Sequence, residues 1–406
     1  MTPVPNRMHR AHKRNPLVWG VPLCLLLIVS PLLATRGWSA APEDVERLIA
    51  TALDAKHSQR ARARALQALG ALMDPRAEQA LLDAVARPER FLKGMAARAL
   101  GRPGRSAAVS SLARLLASPV EDSWVRSEAA RALGVIGHPD GVAPLQAASR
   151  DGDPKVRGVA LYALTAEGFS SLVNRIEIWL RILQDAELEG PLRVRAAGAL
   201  AAAKEARAVP PLTTLLLGPP PVPPTLPPGA PHTLQVLTRA VTRETDLRLH
   251  AARALATIGS PEAVPALASA LRDPSPDLRA EAAAALGHLQ AASALPDLFH
   301  ALKDPDPSVR WQTVRALGEI GAPSAVPLLI QALKDAQPSV RLQAVMALTK
   351  FKDLSALSAL KALAEAESAP LVRQAARDAI KAIESTSQEK KGTDRALSEG
   401  RQEGSP

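Results

Sequence analysis

Residues 308–335 read SVRWQTVRALGEIGAPSAVPLLIQALKD, and the same sentence recurs on both sides. Upstream stands PDLRAEAAAALGHLQAASALPDLFHALKD, downstream PSVRLQAVMALTKFKDLSALSALKALAE. A leucine marks the same point of each copy at Leu255, Leu286, Leu317 and Leu348, 31 residues apart. Seven residues before each lies an arginine: Arg248, Arg279, Arg310 and Arg341. A fixed period of this length is the signature of a solenoid, whose units bury their apolar faces only against one another. The frame continues upstream through Arg62/Leu69, Lys93/Leu100, Arg126/Leu133, Arg157/Leu164 and Arg193/Leu200, and downstream to Arg373/Ile380, giving ten units. Only the 55-residue step from Leu200 to Leu255 departs far from the period.

Each unit reads as two helices. Val309, Thr313, Ala316, Leu317 and Ile320 recur at helical spacing, with Pro307 and Ser308 as the stop and N-cap before them. Gly318, Gly321 and Pro323 close this helix, and Val326, Leu329, Ile330 and Leu333 form the apolar stripe of a second. An acid ends the second helix at Asp273, Asp304 and Asp335. These acids are expected to form a ladder, each capping the next helix and meeting the arginine of its own or an adjacent unit.

The pattern V-R-x-x-A-x-x-A-L-G-x-I-G, present at residues 125–137 and 309–321, resembles HEAT repeats, and the short period resembles their phycobilisome-lyase-like subgroup. The resemblance covers residues 43–384. It implies an all-α fold, a right-handed α-α superhelix of about ten two-helix repeats, used mostly as a binding surface. It also implies that the second helix of each pair lines the concave side.

The flanks differ from the repeats. Residues 1–15 carry Arg7, Arg10, Lys13 and Arg14 and no acid, and residues 17–34 form the apolar run LVWGVPLCLLLIVSPLLA. With the small residues Ser39, Ala40 and Ala41 following, residues 1–41 have the layout of a signal peptide, or alternatively of an uncleaved N-terminal anchor. The expected location is therefore periplasmic or secreted, or else held at the inner membrane by this segment, the only part expected to meet a membrane. Cys24 is the one cysteine and lies inside the apolar run, so the remainder has no thiol for a disulfide, a zinc site or a nucleophile.

Residues 42–217 form a first repeat block and 232–384 a second. Between them, residues 218–231 (GPPPVPPTLPPGAP) hold eight prolines and read as a stiff polyproline loop. Residues 385–406 are polar and aperiodic and read as a disordered tail. The unit around residues 174–189, with Ile176, Trp179, Leu180 and Leu183, reads as a lengthened helix.

The formal charge of +10 is partly a property of the leader. Five basic residues and no acid fall in residues 1–40, leaving 45 basic against 40 acidic residues, a balance of +5. With aromatic residues at 2% there is little to stack on bases, and no nucleic-acid partner is expected. No H-E-x-x-H, P-loop, G-x-S-x-G or G-x-G-x-x-G occurs, and no His-Glu dipeptide of the kind that binds iron in deoxyhypusine hydroxylases. Neither cofactor nor catalysis is expected.

What remains is a surface. Positions two, three and six after the Val or Leu preceding each arginine are expected to point outward. They include Arg98, Arg131, Leu249, Arg253, Trp311, Arg315, Leu342 and Met346. Trp311, Leu342 and Met346, with Arg253 and Arg315 beside them, would make an apolar patch rimmed by guanidinium groups. The sequence thus predicts a monomeric, non-catalytic scaffold of the bacterial cell envelope that binds a protein or peptide. An accessory subunit assisting an enzyme or cofactor-loading partner is the alternative.

Overall fold

The computed structural model describes residues 41–219, residue 231 and residues 246–402, with side chains as far as Thr386. The expected leader up to residue 40, nearly all of the proline-rich loop, and residues 232–245 lie outside the described residues. Twenty α-helices and no strand occur among the described residues. In chain order they are α1 (Pro42–Leu53), α2 (Gln59–Ala71), α3 (Pro75–Val85), α4 (Arg90–Leu100), α5 (Val109–Ala117) and α6 (Ser123–Ile136). Next come α7 (Val142–Ala148), α8 (Pro154–Leu164), α9 (Arg175–Gln184), α10 (Gly190–Ala202), α11 (Val209–Leu216), α12 (Leu247–Ile258) and α13 (Val264–Ala270). The series ends with α14 (Pro276–His288), α15 (Leu295–Ala301), α16 (Pro307–Ile320), α17 (Val326–Ala332), α18 (Pro338–Phe351), α19 (Leu357–Ala366) and α20 (Pro370–Gln402).

The even-numbered helices carry the repeat arginines and the odd-numbered ones are their partners. Local signals set the boundaries. A proline occupies the first turn of α8, α14, α16 and α18, where its missing N–H costs nothing. The N-cap of α16 is Asp306, whose carboxylate accepts the Ser308 N–H; Ser308 itself lies inside the helix, not at its cap. Gly321 stops the helix with φ 71°, a left-handed conformation that glycine adopts without a Cβ clash. The second helix of the unit opens with a turn of 3-10 helix, Pro323–Ala325, that runs straight into α17.

The core runs along the whole stack between the two helix sets. The anchor residues Leu69, Leu100, Leu200, Leu255, Leu286, Leu317 and Leu348 have no measurable exposure, each burial contributing about 1.5–3 kcal/mol. Even-numbered helices pack closely on one another except at α8 and α10, whereas odd-numbered neighbours touch lightly or scarcely at all. Small residues permit the close approach. A Cβ built on Gly134, Gly287 or Gly318 would come within 2.7, 2.7 and 2.9 Å of atoms on the next even helix. Unequal spacing of two layers curves the stack toward the tighter one, so the arginine-bearing helices form the inner layer. In the unit as read from residue 308, the arginine helix is the first of the pair, Pro307–Ile320, and the short second helix lies in the other layer.

Helices α10 and α11 both pack on α12, so the second repeat block stacks directly on the first. Two expectations change. First, the lengthened unit owes its extra residues to the connections. The short turn Glu167–Phe169 is followed by five residues before α9, which spans only ten. Second, α20 continues to Gln402 through the segment expected to be disordered. That segment has no proline between residues 371 and 405 and is rich in Glu, Lys, Gln, Arg and Ala, which favour helix.

Candidate binding face

The repeat arginines build a ladder along one edge of the inner layer. Arg310 donates through Nε and Nη2 to both oxygens of Asp335, at 2.7 and 2.9 Å, and through Nη1 to the backbone carbonyl of Asp304 at 2.8 Å. Arg279 holds Asp304 in the same way at 2.7 and 2.8 Å, with Nη1 on the Asp273 carbonyl at 2.9 Å. Arg341 holds Glu367 at 2.6 and 2.7 Å, with Nη1 on the Asp335 carbonyl. Asp304 and Asp335 therefore each join two units, the carboxylate bonded to the arginine behind and the carbonyl to the arginine ahead. The expected pairing is present, but the expected cap is displaced. Asp304 accepts the N–H of Asp306, and Asp306 caps the helix. An acid placed one residue before the proline at N1 reaches the first free N–H, and the ladder acid two residues earlier turns toward the arginine.

These pairs are nearly closed to solvent, and their ionisation shows it. The Arg341 guanidinium, aided by backbone N–H groups, holds the Glu367 carboxyl down at about 2 despite burial. Burial works to raise Asp335 and Asp304, but their arginines and an N–H donor outweigh it and hold both below the usual carboxylate range. The ladder is less regular at the N-terminal end. Arg62 reaches one oxygen of Glu89 at 3.3 Å, Lys93 pairs with Glu121, and Arg126 with Asp151. Among the described residues Arg193 bonds the Leu183 carbonyl at 3.2 Å, and burial lowers its pKa against the pull of Asp185.

A second row of cations runs along the inner layer five residues after the ladder. Arg98, Arg131 and Arg253 are exposed, whereas Arg315 is half-buried. Arg98 donates to both oxygens of the buried Glu128 at 2.8 and 2.7 Å, and Arg131 stands 3.7 Å from the same carboxylate. Arg253 donates to Glu281 at 2.8 Å. Arg315 lies over the Trp311 ring, 5.7 Å from its centroid, and 3.4 Å from Glu319. Arg253 and Arg315 line one cleft of about 690 Å³, floored by Ala256, Ala284 and Ala285.

The expected apolar patch is only partly built. Met346 is exposed, but Leu342 is half-buried and Trp311 is half-buried against the core. Leu249, expected to point outward, is 2% exposed. The reason is common to all three: the position directly after each ladder arginine falls into the groove between adjacent even helices. Gly94 and Gly158 occupy it elsewhere, and a Cβ on Gly94 would meet the Trp124 ring at 2.2 Å.

Sequence reasoning missed a notch beside this row. Helices α8 and α10 approach less closely than the other neighbours of the inner layer, both leaning on α9. Leu188 and Leu192 lie over Gly158, and Arg195 reaches across to Tyr162, with Nη1 2.7 Å from the phenol oxygen. A cleft of about 320 Å³ remains, with Trp124, Val159, Leu188 and Leu192 as apolar walls, and Arg90, Arg131 and Lys155 balanced by Asp122, Glu128 and Glu189 among its polar residues. The irregular 36-residue step between Leu164 and Leu200 was its only trace in the sequence. Among the described residues no group of three or more His, Cys, Asp or Glu side chains is placed to hold a metal ion.

A continuous stack of helix pairs with a repeated arginine helix defines a solenoid, and the comparisons say which kind. The HEAT-repeat family model matches residues 88–165, 230–304 and 295–381, more than half of the chain, and the chain belongs to that family. Such repeats typically bind proteins and are usually non-catalytic. No match is found among the curated proteins. The crystal structure of Kap121p is 15% identical over 85% of this chain and 42% of its own, with a TM-score of 0.54. Kap95p, solved with RanGDP, is 13% identical over 85% of this chain and 51% of its own, with a TM-score of 0.55. Both likenesses concern the fold alone, and the chain spans about half the length of either protein. Human deoxyhypusine hydroxylase is 28% identical over 76% of this chain and 96% of its own, but its TM-score is 0.30.

Proposed function

We propose that the chain is an exported, non-catalytic scaffold of the bacterial cell envelope that holds a protein partner on the inner face of its HEAT-repeat stack. The observation that carries this reading is the second cation row. Every even helix from α2 to α18 places an arginine or lysine in the ladder; Arg98 and Arg253 also reach an acid of the next even helix, yet with Arg131 they keep their guanidinium groups open on the face. Exposed arginines beside a cleft are the residues that dominate protein interfaces. Trp311, Leu342 and Met346 extend the face, with Met346 as the apolar residue open to contact. Export rests on the basic and apolar layout of residues 1–41. The 31-residue period supports a place near the phycobilisome-lyase-like subgroup.

The test is affinity capture from a crosslinked envelope fraction of the host, read by mass spectrometry, with the wild type beside Arg253→Glu/Arg315→Glu. One dominant protein, lost in the variant while helical content is retained, is the expected result. Equal capture by both proteins would remove this face from the account, and recovery of the chain only from the cytoplasm would remove the envelope.

A further inference from the structure

We propose that the partner engages this face through an acidic, extended segment that seats one large apolar side chain in the notch between α6, α8 and α10. The inference rests on the reading of the inner face as a protein-binding surface and names the chemistry of what it holds.

Charge carries the first half. From α2 to α18, positions two, five and nine after the ladder residue face away from the short helices. The acids at these positions are Glu128, Glu281 and Glu319. Each is already matched on the same face, Glu128 by Arg98, Glu281 by Arg253 and Glu319 by Arg315. The cations outnumber them. Arg131 has only the outer side of a carboxylate already bonded twice, and Arg195 has a phenol as its partner. Arg64 and Lys350, both exposed, have no acid partner among the described residues. Eight lysines and arginines stand at these positions against three acids, and an excess of that sign spread along the stack attracts an anionic strand running the same way.

The notch carries the second half. Its volume of about 320 Å³ suits one large side chain, and four of its walls are Trp124, Val159, Leu188 and Leu192. The glycines on either side are part of its construction: the Trp124 ring lies against Gly94, and Leu188 and Leu192 lie within 3.1 and 3.3 Å of a Cβ built on Gly158. Ser127 lines the notch, is 6% exposed, and its hydroxyl has no hydrogen-bond partner. Arg131 belongs both to the notch and to the cation row, so an apolar side chain seated here leaves its neighbours in sequence on the row. An acidic segment with an aromatic or large aliphatic residue in its middle satisfies both features at once.

The experiment uses fluorescein-labelled peptides and fluorescence anisotropy on the purified protein. The probes are a glutamate peptide with one central phenylalanine, the same peptide with serine instead, and a lysine peptide with the phenylalanine. The first is expected to bind, and to weaken several-fold between about 0.05 and about 0.3 M salt. Serine for phenylalanine should weaken it, and Val159→Arg, which lays a charged chain across the notch, should abolish that difference. Arg131→Glu/Arg195→Glu should weaken both glutamate peptides about tenfold or more with circular dichroism unchanged. Binding of the lysine peptide as tight as the first, no effect of the charge reversal, or tighter binding of a single-stranded oligonucleotide would overturn the proposal. So would failure of all acidic probes where envelope capture still depends on Arg253 and Arg315; that outcome leaves the protein-binding face standing and removes its acidic partner.

Discussion

Arg248 and Arg253 lie on the same helix, five residues apart, yet their side chains are 4% and 49% exposed. The same contrast recurs at Arg126 and Arg131, 16% and 53% exposed. The first residue of each pair is bonded into the junction of two repeats, and the second stands on the open inner face. A turn and a half of helix therefore separates an arginine closed into the stack from one whose charge stays open to contact. Residue type says nothing about this division; the position within the repeat decides it.

The ladder side of the contrast should break hardest. Arg310→Ala leaves the Asp335 carboxylate without its two-point partner in a nearly closed site, and should cost about 3–5 kcal/mol. Since solenoid repeats depend on their neighbours, the loss should be read locally, as faster amide exchange in α16 and α17. Unchanged exchange there would mean that the ladder records the stacking without securing it.

Acid should act on the same side. Glu367, Asp304 and Asp335 are all held below their ordinary values in the fold. Their contribution is complete above the unfolded range near 4–4.5 and is lost as pH falls toward about 2, because the unfolded chain takes up protons first. Thermal melts should therefore fall steeply below about pH 4, and less steeply in Arg341→Ala, which has already lost the Glu367 pair. Parallel acid profiles would contradict the assignment.

A smaller effect is expected where the ladder is thin. Among the described residues Arg193 bonds one carbonyl, with Asp185 acting on it at longer range, so Arg193→Ala should cost about 1 kcal/mol, well short of Arg310→Ala. Equal losses would show that the arginine stem, not its acid, does the joining.

Much of this was legible before any coordinates. The 31-residue period set the helix pairs and the core, because a solenoid has few ways to bury a repeated stripe. Arginine and acid recurring in phase announced their pairing. What failed was finer. Ser308 looked like a cap because serine often is one, but Asp306, placed just before Pro307, reaches the free N–H first. Leu249, Trp311 and Leu342 looked outward because a helical wheel has one apolar side. These helices are packed from two further directions by their neighbours in the stack. The notch was invisible because it arises from the distance between α8 and α10, which depends on how the residues before α9 are accommodated.

The inner row should respond least in stability and most in binding. Reversing the exposed Arg253 moves stability by about 0–1 kcal/mol, and reversing the half-buried Arg315 beside Glu319 by more, still short of the ladder. The most direct measurement sets Arg310→Ala beside Arg253→Glu/Arg315→Glu, with thermal unfolding and capture of the envelope partner read on both. The account predicts that the first melts lowest and, below its melting temperature, still binds, while the second melts well above it and does not bind. A charge-reversed protein that melts as low as the ladder variant, or that keeps its partner, would contradict the division of the two arginine rows.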